Sequence, residues 1–494
     1  MIRFGPFQID PRTWSLARDG QPVDLSPRLV EILGYLAARG GEIVTKDGLL
    51  ERFWPDTNIS DNTLTRAVAD IRKALGDSAS EPQYVQTLAR RGYRFVGASD
   101  TTAIGSPAGG TEDPPQRSDE DPFQAWEQGR LALESLDLSR LDQAIAAFER
   151  AVEELPAYAP AYAGLANAYL MRFETTRFDN IPDRKMLDSA ITAARRACAI
   201  DGALGEGWAV LGYLLAAAGR VPEGQAAARR ATAIEPGNWR HHYRLGYVTW
   251  GEERLRAADR IIELMPAFAP ACMLSAMVFV ARGALSRAEQ QADRGAEIQR
   301  ESTGGRSPIP AAGLHWLRGL LMSARGAHEG ALRCFEEEIA AGTAGHVYGR
   351  EFIANANVAA GFILLSREAG AGATEKFSQA LADCPHHARA TLGLQAARIQ
   401  TRELRPTAEA FAPVRTVIDE LKRGGRHLEA DLVAAGEQCM LGRTDSALKI
   451  LDTMLSDAPV GPTGWIIPVD PMLAGVRFSP GRAKLLAKLA ARAS

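Results

Sequence analysis

The first hundred residues carry two hydrophobic periods in succession. "RFGPFQID", "WSLARDG" and "PVDLS" alternate as short strands separated by Gly and Asp turns. At "SPRLVEILGYLAARG" the spacing becomes that of an amphipathic helix, with Ser26 as cap, Pro27 at the first helical position and Gly40-Gly41 beyond its end. A second helix is expected over "TKDGLLERFW", stopping before Pro55. "SDNTLTRAVADIRKALG" predicts a third, capped by Ser60 and stopped by Gly76, with Leu64, Val68, Ile71 and Leu75 on one face. Its opposite face holds Asn62, Thr65, Arg66, Ala69 and Lys73, with Arg72 at the edge. "YVQTLARRGYRFVG" then alternates, breaks at Arg90-Arg91-Gly92 and alternates again, as a hairpin with two arginines at its tip does. Alternation puts Tyr93 and Phe95 on one side of the second strand and Arg94 on the other.

The pattern stops at Ala98. "ASDTTAIGSPAGGTEDPPQRSDED" has too little apolar surface to fold, and residues 98–122 are expected to be a flexible, acidic linker that leaves the two halves mechanically independent. Residues 123–494 are alanine-rich and helical, and they repeat. Leu211-Gly212 recurs as Leu245-Gly246 and Pro236 as Pro270, each after 34 positions, which is the tetratricopeptide period. The same register returns at Ala144, Phe148, Ala151 and Pro156, and at Gly361, Ala373, Phe377, Ala380 and Pro385. About eight repeats are expected, with an insertion over 171–188 and "AKLLAKLAARA" as a capping helix. The fold class is therefore multidomain: an N-terminal α+β winged helix-turn-helix over 1–97 and an all-α tetratricopeptide-repeat superhelix.

Charge changes the picture only locally. The chain's net charge is −3, and residues 1–96 hold thirteen Lys and Arg against twelve Asp and Glu, a net of +1. Between Arg66 and Arg94, however, six basic residues face three acidic ones, a positive surface where a nucleic acid would lie. A helix with one apolar and one polar-basic face, followed by a basic hairpin, suits DNA: the helix enters the major groove and the wing reaches the adjacent backbone or minor groove. The five scattered cysteines form no C-x-x-C pair and are expected to be reduced, and the longest apolar runs are too short to span a bilayer, so a cytoplasmic protein is expected.

Residues 1–96 resemble the OmpR/PhoB-type winged-helix DNA-binding domain, in particular the ToxR and CadC-like subgroup. "IRFGPFQIDPRTWSLARDGQPVDLSPRLVEIL", "FWPDTNISDNTLTRAVADIRKALGD" and "VQTLARRGYRF" carry the resemblance, in order. It implies sequence-specific binding of double-stranded promoter DNA by Asn62, Thr65, Arg66, Ala69, Asp70, Arg72 and Lys73 of the recognition helix and by Thr87, Arg90, Arg91 and Tyr93 of the wing. It further implies that Pro55–Ile59 belongs to the loop that touches RNA polymerase in some relatives. Asp70 stands where several relatives have a basic residue, so the DNA sequence read here is its own. Neither a receiver domain before the winged helix nor a membrane helix after it is expected, a layout similar to soluble regulators that join this domain to tetratricopeptide repeats.

In the repeats, Tyr213, Arg240, Tyr243, Tyr247 and Trp250 fall on first-helix faces and are candidate contacts for a protein or peptide ligand in the groove. Packing between neighbouring repeats explains the same aromatics equally well. Asn167 occupies the asparagine position of a carboxylate clamp, but Ala163 stands where its lysine is needed, so chaperone tails are not expected partners. "CPHH" at Cys384 to His387 is expected to be a turn between repeats rather than a metal site, and no cofactor is expected. With no Walker motif, G-x-G-x-x-G turn or G-x-S-x-G elbow, the chain is not expected to be an enzyme. Homo-oligomerisation or recruitment through the repeats is the expected route of control. The alternative is an interaction scaffold whose winged helix docks on protein instead of DNA.

Overall fold

In the computed structural model of the chain, residues 2–10, 15–23, 25, 27–53, 61–78, 82–88, 92–97, 99–101, 122–134, 138–177, 179, 181–302, 311–341 and 347–494 are described. The expected polymerase loop at Pro55–Ile59, the wing-tip pair Arg90 and Arg91, and the linker from 102 to 121 lie outside the described residues.

β1 (Ile2–Phe4), β2 (Phe7–Asp10), β3 (Ser15–Arg18) and β4 (Gln21–Val23) form an antiparallel meander. Alternation turns Phe4, Phe7, Ile9 and Leu16 inward, where they are buried. Next come α1 (Pro27–Ala38), β5 (Ile43–Val44), α2 (Lys46–Phe53), α3 (Asp61–Leu75), and the hairpin of β6 (Val85–Leu88) and β7 (Gly92–Phe95). A second sheet runs β5-β7-β6, with Val85 opposite Phe95 and Thr87 opposite Tyr93. Leu64, Val68, Ile71 and Leu75 of α3 are buried against Ile32, Leu33 and Leu36 of α1 and the meander phenylalanines, so the predicted apolar face is the one the core uses. Each such side chain contributes about 1.5–3 kcal/mol on leaving water.

The domain does not end at Gly97. β8 (Ser99–Thr101) pairs antiparallel with β1, Ile2 opposite Thr101 and Phe4 opposite Ser99. Its polar sequence gives no alternation to detect; the exposed edge of β1 supplies backbone partners that do not depend on side chains. Independence of the halves is also corrected. The apolar core of the first domain continues into Ala125, Trp126, Leu155 and Tyr158 of the helical region, and Arg52 pairs with Glu127 at 3.5 Å.

From Pro122 the chain stacks as helical hairpins. In order they are α4 (Pro122–Glu134) with α5 (Leu141–Glu154), α6 (Ala159–Thr176) with α7 (Arg184–Ile200), α8 (Gly205–Ala217) with α9 (Val221–Ile234), and α10 (Trp239–Val248) with α11 (Gly251–Leu264). There follow α12 (Pro270–Ala281) with α13 (Leu285–Ser302), α14 (Leu314–Ala324) with α15 (His328–Ala340), and α16 (Gly349–Ser366) with α17 (Gly370–Asp383). α18 (Ala388–Gln400) with α19 (Ala412–Arg423) and α20 (His427–Met440) with α21 (Thr444–Asp457) complete nine pairs among the described residues. A 3-10 turn over Ala408–Phe411 lengthens the α18–α19 connection and hides that hairpin from a search at fixed period. Second-helix phenylalanines fill the gaps between first helices: Phe377 lies so close to Gly393 that a Cβ there would sit 2.2 Å from its ring. The expected cap is α22 (Arg482–Arg492), which buries Leu485 and Leu489.

The insertion after α6 bridges the superhelix. Arg177 Nη2 lies 2.8 Å from Glu351 Oε2, and Arg350 Nη2 lies 3.2 Å from Asp179 Oδ1. Arg426 donates to the Asp179 carbonyl at 2.8 Å, and Arg184 to the Gly424 carbonyl at 3.1 Å. The second hairpin is thereby tied to the seventh, five hairpins on.

Candidate nucleic-acid interface and repeat lumen

α3 presents one continuous exposed surface. Thr65, Arg66, Ala69, Asp70 and Lys73 are exposed, while Leu64, Ala67, Val68, Ile71 and Leu75 are buried. Arg66 and Lys73 form no ion pair among the described residues, leaving two cations toward solvent on the face predicted for DNA. Asn62 lies in the first turn of α3, and its side chain is outside the description.

Arg72 behaves differently from its neighbours. Its Nε and Nη2 donate to the Val85 carbonyl at 3.1 and 2.7 Å, and Nη2 donates to Thr87 Oγ1 at 2.7 Å. The guanidinium thus clamps β6 to the recognition helix. Asp77, just past the helix, completes the joint: its carboxylate accepts from the backbone N–H of Gln83 at 2.7 Å, Tyr84 at 3.1 Å, Val85 at 2.8 Å and Ser78 at 2.9 Å. The sequence analysis missed Asp77; an aspartate directly after a glycine helix stop is the signal that marks it. Gly92 fixes the other strand. With φ +138° and an added Cβ only 2.0 Å from the Val44 carbonyl oxygen, it lets β7 cross β5.

Two expected DNA contacts change role. Tyr93 is 3% exposed, on the same buried side as Phe95, and has almost no surface to offer a phosphate. The physical reason is the alternation itself, which sends every second residue of β7 into the core. Arg72 turns its Nε and Nη2 donors to the wing, which makes it a positioning residue for the hairpin and leaves Nη1 as the part of its guanidinium open to a phosphate. Thr87 is exposed on β6, and Arg94 bonds Gln86 Oε1 at 3.2 and 2.6 Å across the hairpin.

The repeat residues divide as well. Tyr213 and Tyr247 lie with ring centroids 5.3 Å apart, and Tyr243 and Tyr247 5.8 Å apart; all three are half-buried. The Tyr213 hydroxyl donates to Glu174 Oε1 at 3.2 Å. Arg240 lies over its neighbour Trp239 at 4.8 Å. Trp250 leaves the group: α10 ends at Val248, and Trp250 caps α11, lies 4.6 Å below Arg254 and packs on the C-terminal core. Around the tyrosines stand residues the sequence analysis did not select. Arg177 lies 4.9 Å over the Tyr348 ring and is held between Glu174 at 3.1 Å and Glu351 at 2.8 Å. Burial opposes its charge, but Glu351 and Glu174 keep its pKa well above the usual arginine value. Asn167 accepts from Arg244 at 2.5 Å and donates to Glu206 at 2.9 Å. Arg244 was legible as the residue one turn after Arg240 and three before Tyr247.

His387 of the Cys-Pro-His-His turn caps α18, its Nδ1 accepting from the Ala390 N–H at 3.3 Å while Nε2 lies 3.3 Å from Asn355. No helix among the described residues is long and apolar enough to cross a membrane.

Residues 20–95 match the family model described as "Transcriptional regulatory protein, C terminal". Over 97 residues the chain is 28% identical to the transcriptional activator CadC of Escherichia coli, a match covering 19% of this chain and 19% of CadC. Over 81 residues it is 36% identical to the transcriptional regulator HilA of Salmonella typhimurium, covering 16% of this chain and 14% of HilA. Among solved structures, the DNA-binding domain of Klebsiella pneumoniae RstA in complex with the RstA box is 31% identical, covering 19% of this chain and 94% of that one with a TM-score of 0.18. The chain thus spans less than a fifth of the length of these curated relatives, all of it in the first domain.

Proposed function

We propose, on the premise that the N-terminal domain is an OmpR/PhoB-type winged helix, that the chain is a sequence-specific transcription regulator whose repeats receive its signal. The observation that carries this reading is the exposed α3 face bearing Thr65, Arg66 and Lys73, held at a set angle to the hairpin by Arg72 and Asp77. A recognition helix needs such rigidity, because base readout depends on placing a few side chains in the groove while the wing takes the backbone. Arg66 and Lys73 supply the helix's contacts, and Arg90 and Arg91 the wing's. Pro55–Ile59 is the polymerase-facing loop, and residues 123–494 gather partners or second copies of the chain. The packing of the first domain on Trp126 and Tyr158 supports direct communication between the halves.

Binding sites selected from random DNA by the full chain, then titrated by fluorescence anisotropy across a range of salt, test this. Affinity should fall linearly on a log-log plot, and Arg66→Ala with Lys73→Ala should reduce the slope by about 1.8, roughly 0.9 for each lost phosphate contact. No enriched sequence and no salt-dependent binding would instead favour a winged helix that docks on protein.

A further inference from the structure

The apolar core of the repeats falls into two main bodies. The first three hairpins share a core in which Phe148, Phe173, Leu187, Val210 and Leu214 are buried together. The fifth to ninth hairpins share another: α16 gives Val358 and Phe362 to one cluster and Ala359 and Ile363 to its neighbour, and Trp465 packs on both. Trp250, Ala281 and Ala493 belong to this second core, and Arg282 Nε donates to the Ala493 carbonyl at 2.8 Å, so apolar burial holds the fourth hairpin and the cap to it. Between the two bodies, the α9–α10 junction is joined by a small separate cluster of Ala228, Leu245, Val248 and Ala257.

The bodies meet a second time at the insertion, and there the contact is polar. Arg177 reaches Glu351, Arg350 reaches both Asp179 and the Thr175 carbonyl, Arg426 reaches the Asp179 carbonyl and Arg184 the Gly424 carbonyl, all within 3.3 Å. Ile181 and Leu428, the apolar side chains next to these contacts, are 66% and 41% exposed. Partly exposed charge pairs each contribute little and are screened by salt, whereas an apolar junction holds through the area it removes from water. The polar seam is therefore the weaker of the two connections between the bodies.

We propose that the repeat superhelix is a clasp, hinged at the α9–α10 junction and closed by the polar seam, whose opening controls access to the tyrosines of the first helices. Three contacts couple the seam to those rings. Arg177 covers the Tyr348 ring at 4.9 Å from the opposite body. Glu174 lies 3.1 Å from Arg177 and accepts from the Tyr213 hydroxyl at 3.2 Å. The Tyr213–Tyr247 ring contact, at 5.3 Å, crosses the hinge from α8 to α10. Opening takes Arg177 off Tyr348 and parts Tyr213 from Tyr247, which uncovers ring surface for a partner. A partner on those rings holds the clasp open, and by linkage whatever strengthens the seam weakens that partner's binding. The clasp rests on the reading that the repeats receive the signal, and supplies the regulation for it.

Hydrogen exchange of the full chain, read by mass spectrometry, tests this, with small-angle X-ray scattering on the same samples. Arg350→Asp puts repulsion in place of attraction between side chains that are both half-exposed, which leaves the hairpins folded. Exchange over 348–356 and 421–430 should rise about tenfold and the radius of gyration should increase, while α12, inside the second body, keeps its protection. Asp179→Arg combined with Arg350→Asp restores the pair with its charges exchanged, and should bring both readings back. Added salt should speed exchange over the same segments of the wild type. Arg426→Met, which removes the donor to the Asp179 carbonyl, is the second route if Arg350→Asp does not melt as a folded chain. The clasp is overturned if the folded variant leaves the seam segments unchanged, if α12 loosens equally, or if the exchanged pair recovers no protection. DNA affinity is measured on the same preparations. A chain that binds DNA but whose seam does not respond sinks the clasp alone, whereas a responsive seam in a chain that binds no DNA sinks the regulator reading alone.

Discussion

Replacing Arg72 by Met separates a residue that builds the DNA-reading surface from one that touches DNA. The substitution keeps an aliphatic stem and removes the donors to the Val85 carbonyl and Thr87 Oγ1, at 2.7 to 3.1 Å. Hydrogen bonds from a charged donor contribute about 1.5–3 kcal/mol where water is excluded. Arg72 is half-buried, so solvent replaces part of that, and a loss of about 1–2 kcal/mol is expected. For a domain of this size that lowers the melting temperature by about 5–15 °C. Thermal unfolding of the full chain, read at the transition of the first domain, reports the loss, and anisotropy titrations of the same chain read DNA binding. Affinity should drop because the wing loses its anchor, while the slope against log salt stays unchanged, no phosphate contact having been removed. Arg66→Met should show the reverse: a slope lower by about 0.9 and an unchanged melting temperature. A slope reduced by about 0.9 in Arg72→Met with no thermal shift would refute the reasoning and return Arg72 to the DNA.

Gly92→Ala drives a Cβ into the Val44 carbonyl at a backbone angle closed to alanine, and should cost the first domain about 3 kcal/mol or more, read as a lower urea midpoint. His387 predicts a pH dependence in the repeats. Burial, opposed by Glu429 and reinforced by Arg389 and Arg426, pushes its pKa down to about 4 from the ordinary 6.5. The unfolded chain therefore takes up this proton near pH 6.5 while the folded one refuses it. The stability it contributes is full above pH 6.5 and is lost as pH falls toward 4, by about 3 kcal/mol in all. His387→Asn keeps a capping acceptor and should flatten the fall of melting temperature between those limits; an unchanged profile would show that His387 takes no part.

Periodicity alone was enough for the parts of this protein whose side chains must alternate or recur. The apolar stripe of α3 from Leu64 to Leu75, the hairpin from Val85 to Phe95 and the 34-residue spacing of the helix pairs are patterns that burial imposes on sequence, so they can be found there. The same logic placed the polar face of α3 toward solvent. It left two matters to the fold. One is which polar side chains are already engaged: Arg72 and Lys73 are neighbours on one helix, yet one clamps the wing and the other stands exposed, and Asp77 acts through backbone N–H groups that no side-chain pattern records. The other is closure over distance. Arg177 and Glu351 are 174 positions apart, Asn167 and Arg244 are 77 apart, and Tyr348 meets Arg177 only because the superhelix brings distant hairpins together. A local pattern specifies which face of a helix is buried; the cumulative rotation of the stacked hairpins, set by packing at every junction, decides what that face meets.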